Sequence, residues 1–73
     1  MRGKGPITNK ERQVLDMLAE YRPYKYIAAS MNISIITVYN HVASIMLKTG
    51  IHDQASLIKY AVDHRYGKQE VSA

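Results

Sequence analysis

Cysteine, phenylalanine and tryptophan are all absent from this chain of 73 residues. Without cysteine there is no disulfide to brace a small fold, no thiolate set for zinc and no thiol nucleophile. Glycine (4) and proline (2) are too sparse for a collagen-like or low-complexity segment, and the hydrophobic share of 47% is that of a globular chain. No apolar run approaches the roughly 18 residues of a membrane span, and the first ten residues lack the apolar stretch of a signal peptide. A cytoplasmic location is the expectation, and the lack of cysteine suits it. Acidic residues are in the minority: six Asp and Glu stand against ten Lys and Arg, a net charge of +4 with a pI near 9.5. That excess favours a polyanionic partner.

The length allows at most one small domain, since typical domains use about 100–150 residues. A chain this short buries only about 60% of its unfolded surface. With disulfides and cysteine metal sites excluded, a helical core or self-association has to carry the fold. Met1-Arg2-Gly3-Lys4-Gly5-Pro6 reads as a flexible basic leader over 1–6, because two glycines and a proline neither pack nor propagate a helix. Residues 67–73 hold a single large apolar residue, Val71, and are expected to fray. The folded unit is therefore expected at 7–66.

Within it, Thr8-Asn9-Lys10-Glu11 matches a capping box, with Ile7 placed for a hydrophobic staple. Val14, Leu15, Met17, Leu18 and Tyr21 recur at helical spacing, which predicts a first helix over Asn9–Glu20 with that stripe turned inward. Pro23, tolerated only in a first turn, separates it from a second helix over Pro23–Met31 with Ile27, Ala28 and Met31 inside. After the break Asn32-Ile33-Ser34, Ser34 can cap a third helix over Ile35–Thr49, whose inner stripe is Val38, Val42, Ile45 and Met46 and whose stop is Gly50. The β-branched run Ile35-Ile36-Thr37-Val38 hints at a strand, but the cap and the continuing helical spacing argue for helix. Asp53 caps a fourth helix, Gln54–His64, with Leu57, Ile58, Ala61 and Val62 as its apolar positions. The expectation is an all-α bundle of four short helices without a sheet.

The second helix, a short turn and the third helix form a helix-turn-helix layout, in which the first member crosses a nucleic-acid backbone and the second enters the major groove. The same outline also describes a packing hairpin with no ligand. The outer face of the third helix favours the former. Ile35, Ile36, Tyr39, Asn40, Ala43 and Ser44 point outward in whole or part and include no acid. A face that approaches phosphates does not readily carry carboxylates, asparagine can pair bidentately with adenine, and apolar groups can touch the thymine methyl.

The run Ile7-Thr8-Asn9-Lys10-Glu11-Arg12-Gln13-Val14-Leu15 resembles the opening of the LuxR/GerE-type helix-turn-helix domain, the C-terminal DNA-binding domain of many bacterial response regulators and quorum-sensing regulators. The likeness continues without a gap through Ile27-Ala28, Ile33-Ser34, Thr37-Val38-Tyr39-Asn40-His41-Val42, Ile45-Met46-Leu47-Lys48, Gly50 and Ala55-Ser56-Leu57-Ile58-Lys59-Tyr60-Ala61. It implies a four-helix domain that regulates transcription by binding double-stranded DNA, with the third helix reading the major groove and the last helix supporting a homodimer, formed freely or only on DNA. Carried over by position, the family's base-contacting sites fall on Tyr39, Asn40 and Ala43, with Ile35 and Ile36 near the groove edge. Its phosphate-contacting sites fall on Thr37 and Lys48, with Lys25 as an addition. Ile58 and Val62 are the surplus apolar positions available to a twin helix. RNA polymerase and a receiver or sensor domain are the further partners implied; a membrane is not.

The chain departs from the family pattern at four places. Tyr39 stands where Lys or Arg is frequent, and Ile35 where an acidic or polar residue is, so the usual guanine reader is missing and an A·T-rich site is expected. Tyr21 replaces a glycine that leaves the first helix in a left-handed conformation; either tyrosine accepts strain of about 1 kcal/mol or more, or the helix ends differently. Pro23 replaces a frequent serine cap.

Other functions fit poorly. His41, His52 and His64, at spacings of eleven and twelve, match no zinc signature, so neither metal nor cofactor is expected. No Ser-His-acid arrangement can be assembled, and an enzyme is not expected. The six tyrosines do not form the sheet platform of single-strand binders, because Tyr21, Tyr24 and Tyr26 cluster about one turn. The stronger alternative is a protein-protein interaction or dimerisation domain with little intrinsic DNA specificity, suggested by the apolar pair Ile35 and Ile36.

Overall fold

Four helices follow one another in the computed structural model, which describes residues 5–64 and 66: α1 (Asn9–Ala19), α2 (Tyr24–Met31), α3 (Ile35–Thr49) and α4 (Gln54–Asp63). There is no strand among the described residues, and no helix there is long and apolar enough to cross a membrane. Most of the leader expected over 1–6 and all of the tail expected over 67–73 lie outside the described residues.

Helices α1, α3 and α4 each begin where a side chain satisfies a free amide; α2 does not. Thr8 closes the expected capping box: its Oγ1 accepts from the Glu11 amide at 3.2 Å and its own amide donates to Glu11 Oε1 at 3.0 Å. Ser34 accepts from the Thr37 amide and Asp53 from the Ser56 amide. Pro23 sits one residue earlier than expected, as the cap of α2 rather than its first residue, and only its carbonyl takes part, accepting from Tyr26 and Ile27. Gly50, at φ 77, ends α3 as a left-handed residue.

The end of α1 resolves the question posed by Tyr21. Its amide donates to the Leu18 carbonyl and that of Arg22 to the Met17 carbonyl, the Schellman pattern, and Tyr21 itself is left-handed at φ 60. The strain is therefore present, at about 1–2 kcal/mol for a non-glycine residue. The same turn corrects the inner stripe of α1: Tyr21 leaves the helical path and is 71% exposed, outside the core. Asn32 repeats the motif at the end of α2 with φ 58, where a short polar side chain tolerates the conformation better.

The core consists of Val14, Leu15 and Leu18 of α1, Ile27 and Ala28 of α2, Val38, Val42 and Ile45 of α3, and Leu57 and Ala61 of α4. Met17, Met31, Met46 and Ile58 are half-buried around it, whereas Val62 lies on its outer side. Helix α1 packs against both α3 and α4, and α2 packs against α3. Helix α3 is thus held from two directions, with one face left over.

A polar knot adds to that grip. Glu11, only 4% exposed, joins the start of α1 to the far half of α3: Ser44 Oγ donates to its Oε2 at 2.6 Å and Lys48 Nζ to its Oε1 at 2.7 Å. Lys48 Nζ also donates to the Pro6 carbonyl at 3.0 Å. Burial opposes the Glu11 charge, but hydrogen bonds from Lys48, Ser44 and the Thr8 amide, with the Lys48 charge, outweigh it and hold the carboxyl at about 2. A carboxyl lowered on folding stabilises the fold above its unfolded pKa, and the stabilisation is lost as pH falls through the folded value. Relative to the ordinary 4.5, this amounts to on the order of 3 kcal/mol, present at neutral pH and lost between about pH 5 and 2. Thermal melts across that range are expected to show a steeper acid decline for the wild-type protein than for Glu11→Gln, which starts lower at pH 7. Parallel declines for the two proteins would contradict the assignment.

Candidate nucleic-acid interface

Helix α2, the turn Asn32–Ser34 and α3 form the helix-turn-helix. The turn is short because Asn32 reverses the chain in the left-handed conformation, Ile33 tucks against the core and Ser34 at once caps α3. The Ser34 and Thr37 hydroxyls lie 3.0 Å apart, which stiffens the first turn of α3 at its open end. With Val38, Val42 and Ile45 buried, the helical period turns Ile36, Tyr39, Asn40 and Ala43 outward.

Those four exposed residues belong to the five expected to meet bases. Ile36 is 64% and Tyr39 49% exposed; the fifth, Ile35, is half-buried against the core at the edge of the face. Leu47, 69% exposed, extends the stripe toward the C-terminal end of α3 and was missed by sequence reasoning. Its separations of four from Ala43 and seven from Asn40 are the signal that would have placed it there. From Ile35 to Leu47 α3 carries no lysine, arginine, aspartate or glutamate. Ser44, expected to point outward at least in part, is half-buried and turned to Glu11.

The cations of the motif lie outside this stretch of α3. Lys25 is exposed on α2, and Arg22, just before it, lies over the Tyr26 ring at 4.6 Å and beside Glu20 at 3.6 Å. Thr37 is half-buried in the first turn of α3. Lys48 is placed differently from a free phosphate-seeking side chain. Its side chain is 10% exposed, and two of the three ammonium protons are engaged by Glu11 and Pro6. The spacing of charges along α3 gives no sign of this, because the partner carboxylate is 37 positions away.

Aromatic groups bridge the two helices of the motif. Tyr24, half-buried in the first turn of α2, meets Tyr39 of α3 edge to face, with ring centroids 5.2 Å apart and planes at 63°. Burial, with a smaller contribution from Tyr39, raises the Tyr24 phenol above its ordinary value. Away from this face, Tyr21, Ala55, Ile58, Lys59 and Val62 line a shallow open groove of about 290 Å³ beside α4. Ile58, one of the two residues expected to serve a twin helix, is half-buried, and Val62, the other, is 41% exposed. Among the described residues no three His, Asp or Glu side chains are grouped to hold a metal ion.

Comparison with known proteins agrees with this geometry. Residues 5–61 match the model of the GerE family, described as bacterial regulatory proteins of the luxR family. The chain is 37% identical over 62 residues to the transcriptional regulatory protein MctR of Rhizobium johnstonii, covering 85% of this chain and 29% of that protein. It is 38% identical over 58 residues to the transcriptional regulatory protein UhpA of Escherichia coli (80% of this chain, 30% of that one) and 32% identical over 57 residues to the response regulator Rre1 of Synechocystis (78% and 25%). The chain thus spans less than a third of the length of these curated relatives. No solved structure matches it significantly. With a family match over most of the chain and a helix-turn-helix in the fold, the chain belongs to the luxR family of bacterial regulatory proteins, as a helix-turn-helix domain of the DNA-binding, transcription-regulating kind.

Proposed function

We propose that this domain binds double-stranded DNA sequence-specifically as the output domain of a cytoplasmic bacterial response regulator, with α3 in the major groove and α4 pairing with a second copy. The observation that carries this reading is the outward face of α3: Ile36, Tyr39, Asn40 and Ala43 stand side by side on it, uncharged and exposed, at the end of a capped helix-turn-helix. Asn40 offers the paired donor and acceptor that adenine N6 and N7 require, while Ile36 and Ala43 suit thymine methyl groups. Ile35 contributes from the groove edge. No lysine or arginine is present there to reach guanine, so an A·T-rich half-site is favoured. Lys25 and Thr37 supply phosphate contacts that fix register. Lys48 contributes to phosphate binding only through the one ammonium proton not held by Glu11 and Pro6.

A second copy matters because one small domain covers little DNA, whereas a two-fold pair doubles the contacts and matches an inverted site. Ile58 and Val62 are the apolar positions for that pairing, and both line the α4 groove. The relatives' greater length supports a receiver or sensor domain as a covalent neighbour, and a role in transcription makes RNA polymerase a further partner. Exposed Ile36 and Leu47 favour a second reading, a protein-interaction surface with little DNA specificity.

Random-site selection followed by binding at two salt concentrations separates the two readings, because only DNA binding yields a preferred site and a salt slope. On the selected duplex Asn40→Ala is expected to lose about 1–3 kcal/mol, with little loss on a scrambled duplex and an unchanged salt slope. Lys25→Ala is expected to weaken both duplexes alike and lower the slope by about one unit. Lys48→Met is expected to reduce thermal stability more than it changes the slope. Equal loss on both duplexes for Asn40→Ala would remove it from base reading, and a flat salt response in every protein would favour the interaction surface.

Sedimentation tests the pairing. Ile58→Glu places a charge in the α4 groove and is expected to abolish two-to-one assembly on a palindromic site, while a single domain on a half-site is unaffected. Identical assemblies from both proteins would put the interface elsewhere.

A further inference from the structure

Tyr39 occupies the outer face of α3 as an aromatic ring that is half exposed and yet not free, because a second ring stands against it. We propose that Tyr24 is a positioning residue for DNA reading: it holds the Tyr39 ring in one orientation on α3 and so sets the base preference at the pair that Tyr39 meets. The proposal rests on the reading of α3 as the major-groove helix.

The geometry supports it in three ways. First, the support is itself anchored. Tyr24 packs against the hydrophobic core beneath the motif and belongs to the first turn of α2, immediately after the rigid Pro23 cap. Second, the contact is directional. At 5.2 Å and 63° the rings meet edge to face, the arrangement that the quadrupoles of two aromatic rings prefer, whereas an aliphatic side chain at position 24 would hold Tyr39 by contact alone. Third, the entropy favours recognition. An exposed tyrosine has two soft torsions, and fixing them before binding removes an ordering cost that would otherwise fall on the complex. Tyr39 thereby becomes a reader of fixed shape, and no flexible cation stands at its position.

A contact that only joins α2 to α3 would affect stability and leave base preference intact. A positioning contact predicts a loss localised to one base pair, shared by both tyrosines, and spared when the ring is kept. The experiment measures discrimination at each pair of the selected site for the wild-type chain, Tyr39→Ala, Tyr24→Leu, Tyr24→Phe and the double variant Tyr24→Leu/Tyr39→Ala, with thermal melts of each. Tyr39→Ala is expected to lose roughly tenfold discrimination at one pair. Tyr24→Leu is expected to lose roughly threefold to tenfold at that same pair, the double variant no more than Tyr39→Ala, and Tyr24→Phe almost nothing. If Tyr24→Leu unfolds, Tyr24→Met removes the ring with an unbranched side chain that adapts to the gap and answers the same question. Wild-type discrimination in the ring-less variant, or a loss spread evenly over selected and scrambled duplexes, would overturn the positioning role while leaving DNA reading in place. A wild-type chain without any preferred site would overturn both.

Discussion

The Glu11 carboxylate is the constraint on which the arrangement of this domain depends. It terminates a capping box, accepts from a serine and a lysine of another helix, and does so while almost fully excluded from water. A charge in that position is costly unless each oxygen is satisfied, and here both are. Oε1 serves Thr8 and Lys48, and Oε2 serves Ser44. Because Ser44 and Lys48 lie four apart on α3, the two contacts together fix both the rotation of that helix and its position along α1. Apolar packing alone tolerates small slippage of this kind; a three-way hydrogen-bonded ion pair does not.

That grip bears on function through geometry. Helix α3 contributes Val38, Val42 and Ile45 to the core on one side and reserves Ile36, Tyr39, Asn40, Ala43 and Leu47 for the other. Rotating the helix by one residue would exchange members of the two sets, so the same interactions that stabilise the fold also decide which atoms are offered to a groove. The cost of charge is kept off that surface: Lys48 is occupied inside, Lys25 belongs to α2, and the outer face of α3 is left to apolar, aromatic and amide groups. In the proposed role, such a surface would discriminate by shape and by the thymine methyl more than by charge. Tyr24, reaching from α2, extends the same logic from the helix as a whole to one of its side chains.

Much of this was legible in the chain because it is local. The bounds of α3 follow from Ser34 and Gly50, the capping box from Thr8 and Glu11 three apart, and the start of α4 from Asp53. Inner stripes at helical spacing identified the buried apolar residues of all four helices, though not the buried Glu11. The failures are of two kinds, one local and the rest tertiary. Tyr21 continues the stripe of α1 in sequence but not in space, since the chain has already turned into the left-handed conformation there. Lys48 and Ser44 look like outward polar residues until α1 is laid beside them, and the partner that draws them in lies more than thirty positions earlier. The Tyr24–Tyr39 contact is likewise a product of how α2 and α3 cross. Periodicity reports which face of a helix is buried, but it carries no information about which polar group waits on the neighbouring helix.

The most direct test of the central claim, that α3 presents its outer face to duplex DNA, is a heteronuclear NMR titration of the domain with a selected duplex, read residue by residue. The account predicts that the largest shifts fall on the backbone amides from Ile35 to Ala43 and on the Asn40 side-chain amide, with smaller ones at the start of α2 and little change at buried Leu15 and Leu18. Shifts concentrated on α1, with α3 unmoved, would contradict it.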